Sequence, residues 1–313
     1  MIRIVEVGPR DGLQNETATV PTEAKVAFVD ALSASGVHEI EVSAFVASHR
    51  VPQLADAAEV FHRMTPRPGV VYSALVPNAR GLERALAAGV GKIAVFTAVS
   101  ETFNQRNINT SLAGSLRRFE PVIQRARDGG LPVRGYLSTA FWCAFEGRIT
   151  PEATIGAAQR LVDLGVDEVS VSDTIGKATP VDVARLLDGL LTRVPAERIA
   201  VHFHDTYGQG VANVLKSHDY GIRIFDASAG GLGGCPFAPG ATGNVATEAV
   251  VAALTAEGAV LGVDPGKLRC ARRLLEPFLS AERRPRPVID LPICAACERY
   301  DGMCHCERKA ASG

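Results

Sequence analysis

The stretch AVHFHDTYGQG, residues 200–210, sets two histidines two apart inside an apolar run. Strand residues two apart share one face. His202 and His204 therefore aim one way, Val201 and Phe203 the other. A single core histidine is most simply a hydrogen-bonded structural residue. Two imidazoles on one face, running into Asp205 and Thr206, instead suit a metal ion. Arg10, Asp11, Glu41 and Asp173 stand on or just beyond other strand-like runs. Charged side chains rarely bury without a partner, so three acids at the same rim as two imidazoles describe a metal centre and its surroundings. Each acid alone reads as a helix N-cap or a satisfied core acid, and Asp173, followed by TIGKATP, fits that plainer reading too.

A second reactive feature is the loop GGLGGCPFAPGATGN, residues 230–244. As plain structure it is a flexible crossover. As chemistry, its glycines let backbone approach a ligand or close over a site, with Cys235 as its one reactive group. The other cysteines divide unevenly: Cys143 and Cys270 lie in the body, while Cys294, Cys297, Cys304 and Cys306 fall in the last twenty residues. A reducing interior makes metal binding or redox chemistry a better reading than a disulfide framework. The tail spacing, C-x2-C-x6-C-x-C, would let four thiolates hold a structural Zn²⁺, though it matches no standard finger; otherwise the tail is an oxidisable appendage.

The elements that must position these groups are legible. Residues 3–8, 39–45, 70–76, 92–99, 133–141, 168–173, 198–205 and 223–230 read as eight short, nearly continuous apolar strands. Helical patterns separate them, and Gly36, Gly89, Gly165 and Gly221 sit where helix C-caps belong. Such strands imply parallel pairing with both faces covered. The expected fold is an α/β TIM (β/α)8 barrel with catalytic groups at the C-terminal ends of its strands; a doubly wound sheet is disfavoured because no Gly-rich dinucleotide fingerprint follows the first strand. Residues 1–275 form the expected barrel domain, and 276–313 a C-terminal extension that is helical, then Pro-rich, then Cys-rich, not an independent domain.

A chain of 313 residues with net charge −1 offers no electrostatic case for nucleic acid or an anionic membrane. No apolar run reaches transmembrane length, and MIRIVEVGPRDG reads as a strand and not as a charged-then-apolar leader. The cytoplasm is the expected compartment.

Four stretches, VEVGPRDGLQNE (5–16), SDTIGKATP (172–180), VHFHDTYGQGVAN (201–213) and GGLGGCPFAPGATGNVATE (230–248), closely resemble 3-hydroxy-3-methylglutaryl-CoA lyases, metal-dependent lyases on a TIM barrel. SETFNQRNIN (100–109) and VPQLAD (51–56) extend the likeness. The resemblance implies a divalent cation, Mg²⁺ or Mn²⁺, bound by Asp11, His202, His204 and Asn244. It implies an acyl-CoA substrate, a 3-hydroxy-3-substituted glutaryl thioester, cleaved by retro-Claisen chemistry to acetyl-CoA and a 3-keto acid. His202 and Asp11 are both candidate bases, Arg10 would stabilise the thioester enolate, and Cys235 would protonate it. Glu41 and Asp173 would orient Arg10 or the histidines, and Gln14 would help fix the substrate. The family also suggests a homodimer. Leucine degradation is one pathway such an activity serves, a branched or cyclic terpenoid route another.

Within STAFWCAFEG (138–147), Trp142 and Ala144 stand where enzymes of this type carry Gly and Pro. Trp142 reads either as rim packing or as part of an acyl pocket reshaped for a C3 substituent other than methyl. Two rival functions share the scaffold: a condensing synthase or aldolase, whose activity would survive loss of Cys235, and a non-catalytic metal-binding scaffold, which would turn over no CoA thioester.

Overall fold

The computed structural model describes residues 1–234 and 243–279. Its eight principal strands are β1 (Arg3–Glu6), β2 (Glu39–Ala44), β3 (Val71–Leu75), β4 (Lys92–Ala98), β5 (Val133–Ser138), β6 (Glu168–Asp173), β7 (Ile199–Phe203) and β8 (Ile224–Ala227). Each lies within an expected strand segment. They close a wholly parallel barrel in the order β1-β8-β7-β6-β5-β4-β3-β2. The TIM-barrel expectation holds.

Ten α-helices are found among the described residues: α1 (Thr22–Ser33), α2 (Ala57–Arg63), α3 (Ala79–Ala87), α4 (Glu101–Ile108), α5 (Leu112–Asp128), α6 (Pro151–Asp163), α7 (Pro180–Leu190), α8 (Gly210–Asp219), α9 (Thr247–Ala256) and α10 (Pro265–Arg273). Several start as their sequences dictate. The Asn78, Ser100, Ser111 and Thr150 side chains accept a backbone N–H of the first turn, and Thr179 forms a reciprocal capping box with Asp182. After α1, Gly36 takes φ 89° and lies under the strand of chain before α10; a Cβ there would stand 2.2 Å from the Gly262 carbonyl oxygen. Only glycine fits. No helix among the described residues is long and apolar enough to cross a membrane.

The strands have two different faces. Outward positions such as Ile4, Ile40, Val171, Val201 and Phe225 join Phe28, Leu32, Leu82 and Val122 of the helices in one buried apolar layer. Burying each such side chain contributes roughly 1.5–3 kcal/mol. Inward positions are largely ionic or polar, with Val5, Val7, Ala200 and Ile224 as a small apolar patch among them. Lys92 Nζ lies 2.8 Å from both Glu39 Oε2 and Glu168 Oε1, joining three alternate strands, the origin of one filling layer in such a barrel. Arg3 also pairs with Glu168, and Arg134 reaches from β5 to Asp226 on β8 at 2.5 Å. These pairs join strands that are not neighbours, so they span the interior. The near-continuous apolar reading of the strands thus describes one face of each.

β5 stops at Ser138, three residues before the expected end. Thr139 takes φ 53°, a left-handed conformation that ends a ladder; its hydroxyl accepts the Ser100 backbone N–H and its own backbone N–H donates to Thr174 Oγ1. Beyond it, Trp142–Cys143 pairs antiparallel with Gly147–Arg148 in a small hairpin at the barrel rim.

Candidate metal centre at the barrel mouth

His202 ends the inward face of β7, and His204 follows it just past the strand. Backbone bonds from Val245 N to Phe203 O (3.0 Å) and Asp205 N to Gly243 O (2.9 Å) bring residues 243–245 alongside, so His204 bridges Asn244 directly. The two imidazole centres are 5.3 Å apart. Asp11 arrives from β1 through a tight π-helical turn, Gly8–Gly12, in which the N–H groups of Arg10, Asp11 and Gly12 all point at the Val7 carbonyl. Ligand atoms of Asp11, His202 and His204 lie within 4.8 Å of one another.

The donor set fits a divalent cation. Asn244 Nδ2 donates to Asp11 Oδ2 and to the Leu232 carbonyl, each at 2.9 Å, which leaves its Oδ1 buried with no hydrogen-bond partner. His204 Nδ1 is likewise buried without a partner. Buried polar atoms are normally satisfied, and two unsatisfied ones beside a carboxylate suit a cation's needs. The charge state suits it too. Burial alone would raise the Asp11 carboxyl, but Arg10, the two imidazoles and the Asn244 hydrogen bond together hold it at about 2. Burial, aided by His202, pushes His204 down to about 4 against the pull of Asp11, so its ring is neutral and able to ligate.

Arg10 stands beside this cluster. Its Nε donates to Glu41 Oε2 at 2.6 Å and its Nη1 to Asp11 Oδ1 at 2.7 Å; Gln14 Oε1 is a longer contact at 3.4 Å. Its guanidinium carbon lies 5.3 Å from the centre of the Tyr136 ring. Glu41 shares the inward face of β2 with Glu39, in register opposite Ser73, and the β2–β3 register shifts just after it, between Glu41 and Ser43.

One acid that the sequence reading passed over completes the arrangement. Asp226 of β8 is paired in register with His202, and its Oδ2 lies 3.2 Å from His202 Nδ1. The same oxygen accepts from Ser170 Oγ at 2.9 Å, while Oδ1 takes Arg134. An acid inside the apolar run RIFDASAG was a visible signal; its partner was not.

Residues 1–275 match the family model described as HMGL-like. The chain belongs to the HMGL-like family. Over 267 residues, 85% of this chain and 78% of the relative, it is 48% identical to the cytoplasmic 3-hydroxy-3-methylglutaryl-CoA lyase of Rattus norvegicus. It is 50% identical over 263 residues to the 3-hydroxy-3-isohexenylglutaryl-CoA/hydroxy-methylglutaryl-CoA lyase of Pseudomonas aeruginosa, covering 84% and 88% of the two chains. The crystal structure of hydroxymethylglutaryl-CoA lyase from Pseudomonas aeruginosa superposes with a TM-score of 0.88 at 47% identity, over 91% of this chain and 95% of that one.

As an HMGL-like protein the chain brings Arg10, Asp11, Gln14, Glu41, His202, His204 and Asn244 together at one rim. Asp173 is placed otherwise than expected: its Oδ2 accepts the Ala178 backbone N–H at 2.8 Å, and neither oxygen bonds Arg10 or a histidine. It shapes the turn that follows β6. Burial raises its carboxyl to about 6 against the backbone N–H groups that face it. Trp142 lies beyond the end of β5, in the rim hairpin, with Lys177 Nζ 4.4 Å and the Arg148 guanidinium 5.5 Å from the ring centre. Two cations therefore flank the indole at the rim.

Cys235 and the four tail cysteines Cys294, Cys297, Cys304 and Cys306 lie outside the described residues. The base of the Cys235 loop is described, and there glycine is obligatory. Gly243 has φ 94°, and a Cβ on it would stand 2.1 Å from the Gly233 carbonyl oxygen. The two arms of the loop thus press together directly beside Asn244.

Proposed function

We propose that this protein cleaves 3-hydroxy-3-methylglutaryl-CoA to acetyl-CoA and acetoacetate. The observation that carries the reading is the convergence of Asp11, His202, His204 and Asn244 with the Arg10–Glu41 pair at one barrel rim. The names of the rat and Pseudomonas relatives support the substrate.

Asp11, His202, His204 and Asn244 would hold a divalent cation, Mg²⁺ or Mn²⁺ for a donor set with two oxygens and two imidazoles, and when bound it would supply Lewis-acid polarisation of the substrate's tertiary hydroxyl. The hydroxyl proton passes to the Asp11–His202 pair, whose Oδ2 and Nε2 atoms are 3.9 Å apart. The bond between C2 and C3 of the acyl chain breaks, the hydroxyl carbon becomes the ketone of acetoacetate, and the electron pair moves to the thioester as an enolate. Arg10 stabilises the enolate oxygen; Glu41 and Asp11 hold its guanidinium in place. Cys235 donates the proton that turns the enolate into acetyl-CoA, the role the family resemblance assigns to it, as the glycine loop excludes water. Gln14, in reach of Arg10, helps fix the substrate.

Residues 1–275 serve as the lyase unit in this reading and 276–313 as its extension. The compartment we assign is the cytoplasm, as in the rat relative's name, and the assembly a homodimer, as the family resemblance implies.

The test is acetyl-CoA release from 3-hydroxy-3-methylglutaryl-CoA with Mg²⁺ or Mn²⁺, comparing wild type with His204→Ala. Release by wild type and its loss in the variant are expected. A folded wild-type protein that binds the cation and releases no acetyl-CoA would sink the reading.

A further inference from the structure

We infer that Asp226 is a positioning residue: it fixes the tautomer and orientation of His202, and is itself held by Arg134 at the head of an ion-pair column running through the barrel interior.

The hydrogen bonding of Asp226 leaves little freedom. Oδ1 faces the Arg134 guanidinium, and Oδ2 accepts from Ser170 Oγ at 2.9 Å while lying 3.2 Å from His202 Nδ1. A carboxylate carries no proton to give, so the contact requires Nδ1 to donate. With the Nδ1 proton fixed, the lone pair falls on Nε2, the nitrogen that faces Asp11 Oδ2 at 3.9 Å. Asp226 therefore decides which nitrogen is available at the mouth, and the backbone register that sets it opposite His202 holds the ring at a defined angle.

Arg134 is in turn restrained from the far side. Its Nε lies 3.3 Å from Glu168 Oε1, and that carboxylate also takes Lys92 and Arg3. Tyr136 stacks within 4.9 Å of the Arg134 guanidinium and 5.3 Å of Arg10, and meets the His202 ring edge-on at 6.4 Å. An ordinary core ion pair would need only Arg134 and Asp226. Here the second carboxylate oxygen is spent on an imidazole of the site, and the pair sits between that imidazole and the buried charges of Glu168, Lys92 and Glu39.

The inference rests on the metal-centre reading, and the experiment separates the two. Mn²⁺ binding to the full-length protein would be titrated by electron paramagnetic resonance for wild type, His204→Ala and Asp226→Asn. Asparagine keeps the shape but offers no carboxylate to an Nδ1 proton. The expected result is a 10–100-fold weaker Mn²⁺ affinity for the folded Asp226→Asn protein, beside the lower melting temperature that loss of Arg134's carboxylate partner brings to the metal-free protein. Equal affinity in a folded Asp226→Asn protein, with binding lost in His204→Ala, overturns this inference alone; absence of Mn²⁺ binding by wild type overturns both. Should Asp226→Asn fail to fold, ¹⁵N spectra of the histidine rings in the Mg²⁺-loaded wild type decide: a His202 protonated at Nδ1 and bare at Nε2 is expected, and a proton on Nε2 with Nδ1 bare refutes the assignment.

Discussion

Arg10 Nε donates to Glu41 Oε2 at 2.6 Å, and both side chains are buried. Burial is costly for either charge alone; each makes the other tolerable, and burial still raises the Glu41 carboxyl despite Arg10. Arg10→Lys keeps the charge but loses the planar fork that meets Glu41 and Asp11 together. A fall in kcat of about 10²–10³ is expected, the scale of losing one donor to a developing oxyanion, with KM for the thioester changed far less. Steady-state kinetics on the purified variant decide it.

Glu6 gives a pH-dependence with an unusual sign. Burial raises its carboxyl from 4.5 to about 8 against hydrogen bonds from Thr247, Ala229 and Gly8. A group that binds its proton more tightly folded than unfolded costs the fold stability as pH climbs from 4.5 through about 8. Glu6→Gln keeps the shape without the titration. Its melting temperature should overtake that of wild type as pH rises, by about 5 °C at pH 8.5, and a calorimetric scan at three pH values would show whether the two curves cross.

Trp142 is engaged by Lys177 and Arg148 and is only half-buried. Trp142→Gly should therefore cost about 2 kcal/mol in urea unfolding and leave the ratio of kcat/KM for methyl and isohexenyl substrates as it was. A ratio moved tenfold towards the bulkier substrate would make the indole a wall of the acyl pocket.

Gly243→Ala should damage the site while sparing the barrel. The added methyl meets the Gly233 carbonyl at 2.1 Å, and the next residue is Asn244. Cation affinity and kcat are both expected to fall at least ~10-fold, since a misplaced ligand or catalytic group is expensive, with circular dichroism unchanged. Wild-type affinity in this variant would show that the two loop arms are free to part.

Much of this was legible in the residues. Alternation along AVHFHD placed His202 and His204 on one face, and apolar runs punctuated by glycine-capped helices located all eight strands. Registers between strands were not legible, because a single sequence does not say which residues of two parallel strands lie opposite. Asp226 beside His202 and Lys92 between Glu39 and Glu168 depend on that registration alone. Glu41 was found by its charge, but its pairing with Arg10 depends on how β1 and β2 come together across the barrel mouth. The visible partner of Asp173 is local, the Ala178 backbone N–H five residues on, while its other oxygen is buried without a partner.

The candidate centre is assembled from both ends of the chain. Asp11 and Asn244 are 233 residues apart, and Glu6 clasps Thr247 across 241. Loop closure over such distances comes late, after local helices have formed. If the proposed ligands hold a cation, a growing chain would capture it only once residue 244 has left the ribosome and β1 has met β8. Cation capture would then report that barrel closure is complete, and in refolding it should trail the return of helical signal.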